Sequence, residues 1–138
     1  MSVYHRTENQ IMTLGYWCVV LVAFLPVVWA GIAKSGTPKF DNAKPRASLA
    51  EATGWAQRAN WSQANSYEAF PPFAAGVIIA HLAGASQSSI DLLAVIFLTS
   101  RIIHGIVYIT DYPTLRSLVW TVGFLTVVAL FLSPTWPS

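Results

Sequence analysis

Charge is the scarcest property of this chain: lysine and arginine number 8 and aspartate and glutamate 6, so that 10% of the 138 residues are charged. A nucleic-acid surface needs clustered cations facing phosphates. Here the net charge is only +2, and most cations sit beside apolar runs, which excludes that class of partner. Cysteine is nearly absent as well. The lone Cys18 excludes an intrachain disulfide and a cysteine metal cluster. Histidines at positions 5, 81 and 104 are too scattered to suggest a metal site. No glycine-rich phosphate loop, H-E-x-x-H or G-x-S-x-G occurs, which removes the familiar nucleotide, zinc-peptidase and serine-hydrolase chemistries. Any thiol chemistry therefore needs a thiol that arrives with a ligand.

What the chain has in abundance is apolar surface. At 54% apolar it is too greasy for an ordinary soluble domain of this length. A membrane span needs about 20 mostly apolar residues, and Ile11 to Ala33 supplies them with no charged side chain. That run is longer than the apolar core of a cleaved signal peptide, and no A-x-A site follows it, so it reads as a retained span. Spans are also expected at about 55–84, 88–109 and 114–133, the first of these with a polar first half. The expected fold class is an all-α membrane protein, an antiparallel four-helix transmembrane bundle in a single domain over residues 1–138.

The connections agree with that count. Lys34 to Gly54 collects prolines, glycine and most of the charge, whereas the links near Gly84–Ser88 and Thr110–Pro113 are short, which makes neighbouring helices antiparallel. Ser88 followed by Asp91 has the spacing of a capping box, and Pro113 suits a first helical turn. Lys34, Lys39, Lys44, Arg46 and Arg58 lie in or beside loop one and Arg116 beside loop three, opposed only by Arg6. The positive-inside rule then places loops one and three in the cytoplasm and both termini outside.

Depth gives the polar residues meaning. The second span enters from the cytoplasm, so Arg58 to Glu68 occupies roughly its first 15 Å. The third span descends to the same level carrying Arg101, His104 and Tyr108, whose spacing puts them on one face. Arg116 and Ser117 begin the fourth. Charge inside a bilayer faces protein or water and marks function by default. The structural alternative is an ion pair of Glu68 with Arg101 or Arg58 that only holds the bundle together. Other features read as structure: Pro71 and Pro72 should kink their helix, and Gly76, Ala80 and Gly84 form a small-residue row for close helix approach. Trp29, Trp55, Trp120 and Trp136 read as interface anchors, Trp120 lying deep for that role. His81 has no evident partner, and His5 lies in the N-terminal tail.

The segments "RANWSQANSYEAFPPFAAGV" and "SRIIHGIVYITDYPTLRSLVW" resemble the membrane-associated proteins in eicosanoid and glutathione metabolism (MAPEG), the group containing microsomal glutathione transferases and prostaglandin E synthase. The likeness is greatest to the small bacterial members, which implies a bacterial inner membrane as the location. It implies a homotrimer with glutathione bound between neighbours near the cytoplasmic face. Carried over by position, it implies that Asn65 and Glu68 are the second-helix ligand pair, that Arg101, His104 and Tyr108 form a binding stripe, and that Arg58 is a further basic ligand. Arg116 and Ser117 match the pair credited with holding or activating the thiol. Glutathione brings two carboxylates, an ammonium and a thiol, which suit arginines, Glu68 and Arg116 respectively. The implied reaction is attack on a lipophilic small-molecule substrate arriving from the membrane lipids. In one respect the chain departs from its enzymatic relatives: Trp61 stands where they carry an arginine, one turn before the motif asparagine. Two function classes thus stand side by side, a glutathione-dependent transferase or peroxidase and a non-catalytic membrane scaffold or accessory subunit of the same fold.

Overall fold

A computed structural model describes residues 11–137. His5, Arg6 and Ser138 lie outside the described residues. The described residues form α1 (Leu14–Ser35), α2 (Pro45–Ala50), α3 (Gly54–Leu82), α4 (Gln87–Ile109) and α5 (Pro113–Leu132), followed by a 3-10 turn at Ser133–Thr135. The segments read at about 55–84, 88–109 and 114–133 are helical, as α3, α4 and α5. The short α2, inside loop one, was not expected. Pro45 presets its first turn, and the loop before it is held by Asp41, whose N–H donates to Ser48 Oγ at 3.0 Å and whose carboxylate accepts from the Ala43 N–H at 2.8 Å.

Local chemistry sets the helix ends. α1 begins at Leu14 rather than Ile11 because the Thr13 hydroxyl accepts the Tyr16 N–H at 3.2 Å and caps the first turn. α3 stops at Leu82: Gly84, with φ +80, lets the Ala85 N–H reach back to the Ala80 carbonyl at 3.0 Å. Gly84 has open space where a Cβ would lie, so it serves the turn and not the close-packed row expected of it. Gly76 does lie in such a contact, against Leu130, and Ala80 is fully buried. α4 ends the same way on Asp111, at φ 68, with the Tyr112 N–H on the Val107 carbonyl at 3.0 Å. Pro113 occupies the first turn of α5 as its sequence suggests.

The expected capping box is not formed. Ser86, not Ser88, precedes α4 and makes no side-chain cap, while Asp91 turns to another helix. Its Oδ1 accepts from the Gly15 N–H at 2.8 Å and from Gln87 Nε2 at 2.8 Å. A carboxylate gains more by taking a donor at the N-terminus of α1, where helix polarity favours negative charge, than by capping its own exposed turn. Gln87 Oε1 in turn meets His81 Nδ1 at 2.9 Å, and the His81 ring lies 5.2 Å from that of Tyr16. His81 therefore has partners on α4 and α1 that sequence reading missed.

α1 and α3 run antiparallel along their length, from Gly36 beside Trp55 to Gly15 beside Val77. With α4 they enclose a core of Cys18, Val22, Phe73, Val77, Ile90 and Phe97, the two phenylalanine rings stacked at 4.0 Å. α5 closes the bundle through Gly123, which admits the Ser100 hydroxyl, and through Leu130. Trp29 belongs to this interior, being 5% exposed and lying against Gly105. That corrects its reading as an interface anchor. Trp55, Trp120 and Trp136 remain exposed on the chain.

Outward from the core, Trp17, Leu21, Phe24 and Val28 of α1 and Leu118, Leu125 and Leu132 of α5 are exposed. Such surface is stable against hydrocarbon and not against water. α1, α4 and the segment Pro113–Thr135 are long and apolar enough to cross a membrane. α3 is longer at 29 residues but carries the polar half anticipated for it. It stays helical through Pro71 and Pro72, although neither can donate to the carbonyls of Tyr67 and Glu68 four residues earlier.

Candidate functional site

Three helices bring their polar faces together near the α4–α5 turn. On α3, Asn65 and Glu68 lie about one turn apart and line the same hollow. On α4, Arg101 and His104 are 3% and 2% exposed, despite their polarity, and Tyr108 is half-buried. On α5, Arg116 is half-buried and Ser117 exposed. The proximity of α4 to α5 follows from the tight turn at Asp111, which returns the chain in only a few residues.

Contacts within this group are specific. Arg101 Nη2 donates to Asn65 Oδ1 at 2.6 Å, a charge-assisted bond joining α4 to α3. The Arg116 guanidinium lies over the Tyr108 ring, 4.4 Å from its centroid, and the His104 ring meets Tyr108 edge-on at 5.6 Å. Tyr108 thus orients the cation on α5 from below. Ser117 Oγ donates to the Pro113 carbonyl at 3.1 Å, within its own helix.

Glu68 is exposed and forms no salt bridge among the described residues, which removes the structural alternative of an ion pair with Arg101 or Arg58 within the chain. Arg101 has taken the neutral Asn65 instead. Arg58 is drawn away from the cleft: its Nε donates to the Ile109 carbonyl at 2.9 Å and its Nη1 lies 3.9 Å from Asp111 Oδ2. It satisfies the frayed end of α4, where free carbonyls favour a cation. Trp61, 46% exposed, lines a groove with Arg46 and Leu49 of α2, and its ring is 6.5 Å from that of Tyr108.

Two adjoining hollows result. A polar one of about 340 Å³ is lined by Asn65, His104, Tyr108, Arg116, Ser117, Trp120 and Thr121. An apolar one of about 210 Å³ lies between α3, α4 and α5, walled by Ala69, Pro72, Phe97, Gly123, Phe124 and Val127, with Asn65, Glu68, Arg101 and Trp120 also on its lining. Asn65 and Trp120 belong to both. All the residues anticipated for the site except Arg58 line one hollow or the other. Trp120, Thr121 and Phe124 were not anticipated as lining residues. Their signal was available, since positions 116, 120, 123, 124 and 127 repeat at three and four residues and so share a face of α5 with Arg116, and Thr121 follows Ser117 by four.

The donor set favours a particular ligand. Among the residues that line the two hollows, Arg101 and Arg116 exceed the single carboxylate Glu68. An anionic molecule that also carries one ammonium would meet both needs, and these residues therefore fit glutathione. An apolar molecule could share the wall beside it.

No curated protein and no solved structure matches the chain in sequence or fold comparison. A family model does, over residues 14–136, and it is that of the MAPEG family. The match runs from the first turn of α1 to the last described tryptophan, so it takes in every helix that builds the cleft. By that extent of agreement the chain belongs to the MAPEG family, a membrane bundle associated with glutathione.

Proposed function

We propose that the protein is a glutathione-dependent transferase or peroxidase acting on lipophilic electrophiles, working as a homotrimer with loops one and three in the cytoplasm and α3 as a fourth span. The observation that carries this reading is the common wall of the two hollows, Asn65 and Trp120, which sets a cation-lined compartment against an apolar one. Such a pair of spaces suits a hydrophilic co-substrate beside one that arrives from hydrocarbon.

When bound, glutathione supplies a thiol sulfur, the nucleophile once ionised. Arg101 and Asn65 are suited to a carboxylate, and the free carboxylate of Glu68 to the ammonium. Arg116, held over Tyr108, places positive charge where a thiolate would form and stabilises that anion more than the neutral thiol. Phe97, Phe124 and Val127 keep water from the far side of the reacting pair. The exposure of Glu68 at membrane depth supports assembly, because a neighbouring subunit would shield it from lipid.

A second reading, a non-catalytic scaffold, is favoured by one observation: Trp61 offers no cation, and Arg58 is already committed to Ile109 and Asp111. Titration of the purified protein with glutathione separates the two. Binding to the folded state must raise the unfolding temperature, by about 2.7 kcal/mol of stability at a hundredfold excess over Kd. Catalysis requires in addition thiolate absorbance and conjugation of lipophilic electrophiles. A well-folded protein with no thermal response and no conjugation would leave the scaffold.

A further inference from the structure

Among the described residues five hydroxyl side chains are buried: Ser62, Ser66, Ser100, Thr126 and Ser133. Three of them donate back to their own helix, Ser100 to Phe97, Thr126 to Val122 and Ser133 to Leu130. Ser62 and Ser66, at 0% and 2% exposure, do not, and no other group among the described residues pairs with them. A serine in an apolar helix ordinarily falls back on the carbonyl of the preceding turn. These two are aimed elsewhere.

Further unpartnered polar atoms lie in the same half of the bundle: Trp29 Nε1, His104 Nδ1, Arg101 Nε and Gln63 Oε1. The helix register brings the first two to the level of Ser62. On α3 and α4, Asn65 meets Arg101 and Arg58 meets the Ile109 carbonyl, so Ser62, between them, falls level with His104. On α1 and α3, Gly15 meets Val77 and Gly36 meets Trp55, which sets Ser62 level with Trp29. The third side closes directly. A Cβ built on Gly105 would lie 2.5 Å from Trp29 Cε2, the ring carbon bonded to Nε1, so the indole N–H sits against the residue next to His104.

We infer that α1, α3 and α4 enclose a hydration site behind the cleft, and that water held there by Trp29 and Ser62 fixes His104 with its proton on Nε2, toward the polar hollow. A buried water is stable where it finds two to four polar partners, and this level provides three from three helices. Trp29 Nε1 and Arg101 Nε can only donate and Ser62 and Ser66 do either, while the one fixed acceptor among the unpartnered atoms, Gln63 Oε1, belongs to a residue that lines the groove beside α2 with Arg46 and Trp61. The network closes when Nδ1 accepts, which leaves the ring hydrogen on Nε2. His104 lines the polar hollow, so it becomes a hydrogen-bond donor to whatever anion occupies that space. Trp29 and Ser62 are then positioning residues acting through His104. The hydration itself stands apart from the proposed activity; only its consequence for turnover rests on that reading.

The test uses the full chain in lipid nanodiscs with ¹⁵N-labelled tryptophan and histidine. The Trp29 indole N–H, assigned by its loss in Trp29→Phe, is expected to receive magnetisation from water, and Ser62→Val to abolish that transfer. The His104 nitrogen shifts are expected to report the Nε2–H tautomer. In glutathione-dependent turnover Ser62→Val is expected to lower the rate about tenfold, with affinity held within about twofold, the size of one misdirected hydrogen bond. A Trp29 indole without water contact in the folded wild-type oligomer, or an Nδ1–H tautomer, overturns the inference. If glutathione fails to bind, the spectroscopic results still decide the hydration site, and only the proposed activity falls.

Discussion

Alanine at Gly105 would drive a methyl group into the indole of Trp29, and three glycines of this chain make that perturbation quantitative. At Gly105 the new Cβ would lie 2.5 Å and 2.7 Å from Trp29 Cε2 and Cη2. Trp29 is 5% exposed and has no free direction in which to swing. Overpacking of this kind costs about 1–3 kcal/mol, and the upper end applies because rigid ring atoms are struck. Alanine recovers about 1 kcal/mol of helix propensity over glycine, so the net loss is about 2 kcal/mol. At Gly36 the Cβ would lie 2.7 Å from Trp55, but Trp55 is 47% exposed and can rotate away, and Gly36 caps its helix without being inside it. The change there should stay within about 0.5 kcal/mol, as for substitutions away from the core. At Gly31 nothing lies within 4 Å, and alanine should stabilise α1 by up to about 1 kcal/mol. Reversible unfolding in mixed micelles, with the three variants side by side, measures the series. Gly105→Ala matching Gly31→Ala in stability would refute the wedge of Trp29 against α4. Partial recovery in Gly105→Ala combined with Trp29→Leu would confirm the cause through a double-mutant cycle.

Removing the side chain of Asn65 leaves the buried Arg101 without its 2.6 Å partner, and Asn65→Ala should cost about 1.5–3 kcal/mol by the same unfolding measurement, while Asn65→Asp should cost less. Asp91→Ala loses the bonds to Gly15 and Gln87 and should cost about 1–3 kcal/mol, whereas Asp91→Asn, which keeps an acceptor, should lose less than half of that. Arg116→Ala should lower turnover far more than glutathione affinity and Glu68→Gln should do the reverse, because charge develops on the sulfur and not on the ammonium; equal effects on both would remove the assigned roles. Mass measurement in mild detergent should give three copies of the chain, and a monomer alone would refute the trimer.

Much of the fold was legible because it is written at short range. A run of about twenty apolar residues must be helical in hydrocarbon, where each backbone polar group needs an internal partner. Ile11 to Ala33 therefore announced α1, and only the Thr13 cap moved its start. The stripe of Arg101, His104 and Tyr108 was legible for the same reason, since helical spacing alone puts them on one face. The MAPEG resemblance rested on these local patterns, and the family match over 14–136 bears it out.

Which partner each polar group takes was decided by tertiary structure. Ser88 and Asp91 have capping-box spacing, yet Asp91 serves the N-terminus of α1, because the fold brings Gly15 within 2.8 Å. Glu68 and two arginines suggested an ion pair by count and depth, yet the register of α3 on α4 puts Asn65 opposite Arg101 and the end of α4 opposite Arg58. Trp29 reads as an anchor in one dimension and is a wedge in three, since the space that admits it belongs to Gly105, far along the chain. Sequence by itself determined the helices and which of their residues share a face, both consequences of backbone hydrogen bonding and a 3.6-residue period. Tertiary structure alone decided the pairings across helices, because a hydrogen bond is won or lost over less than 1 Å and that distance depends on how neighbouring helices slide and rotate.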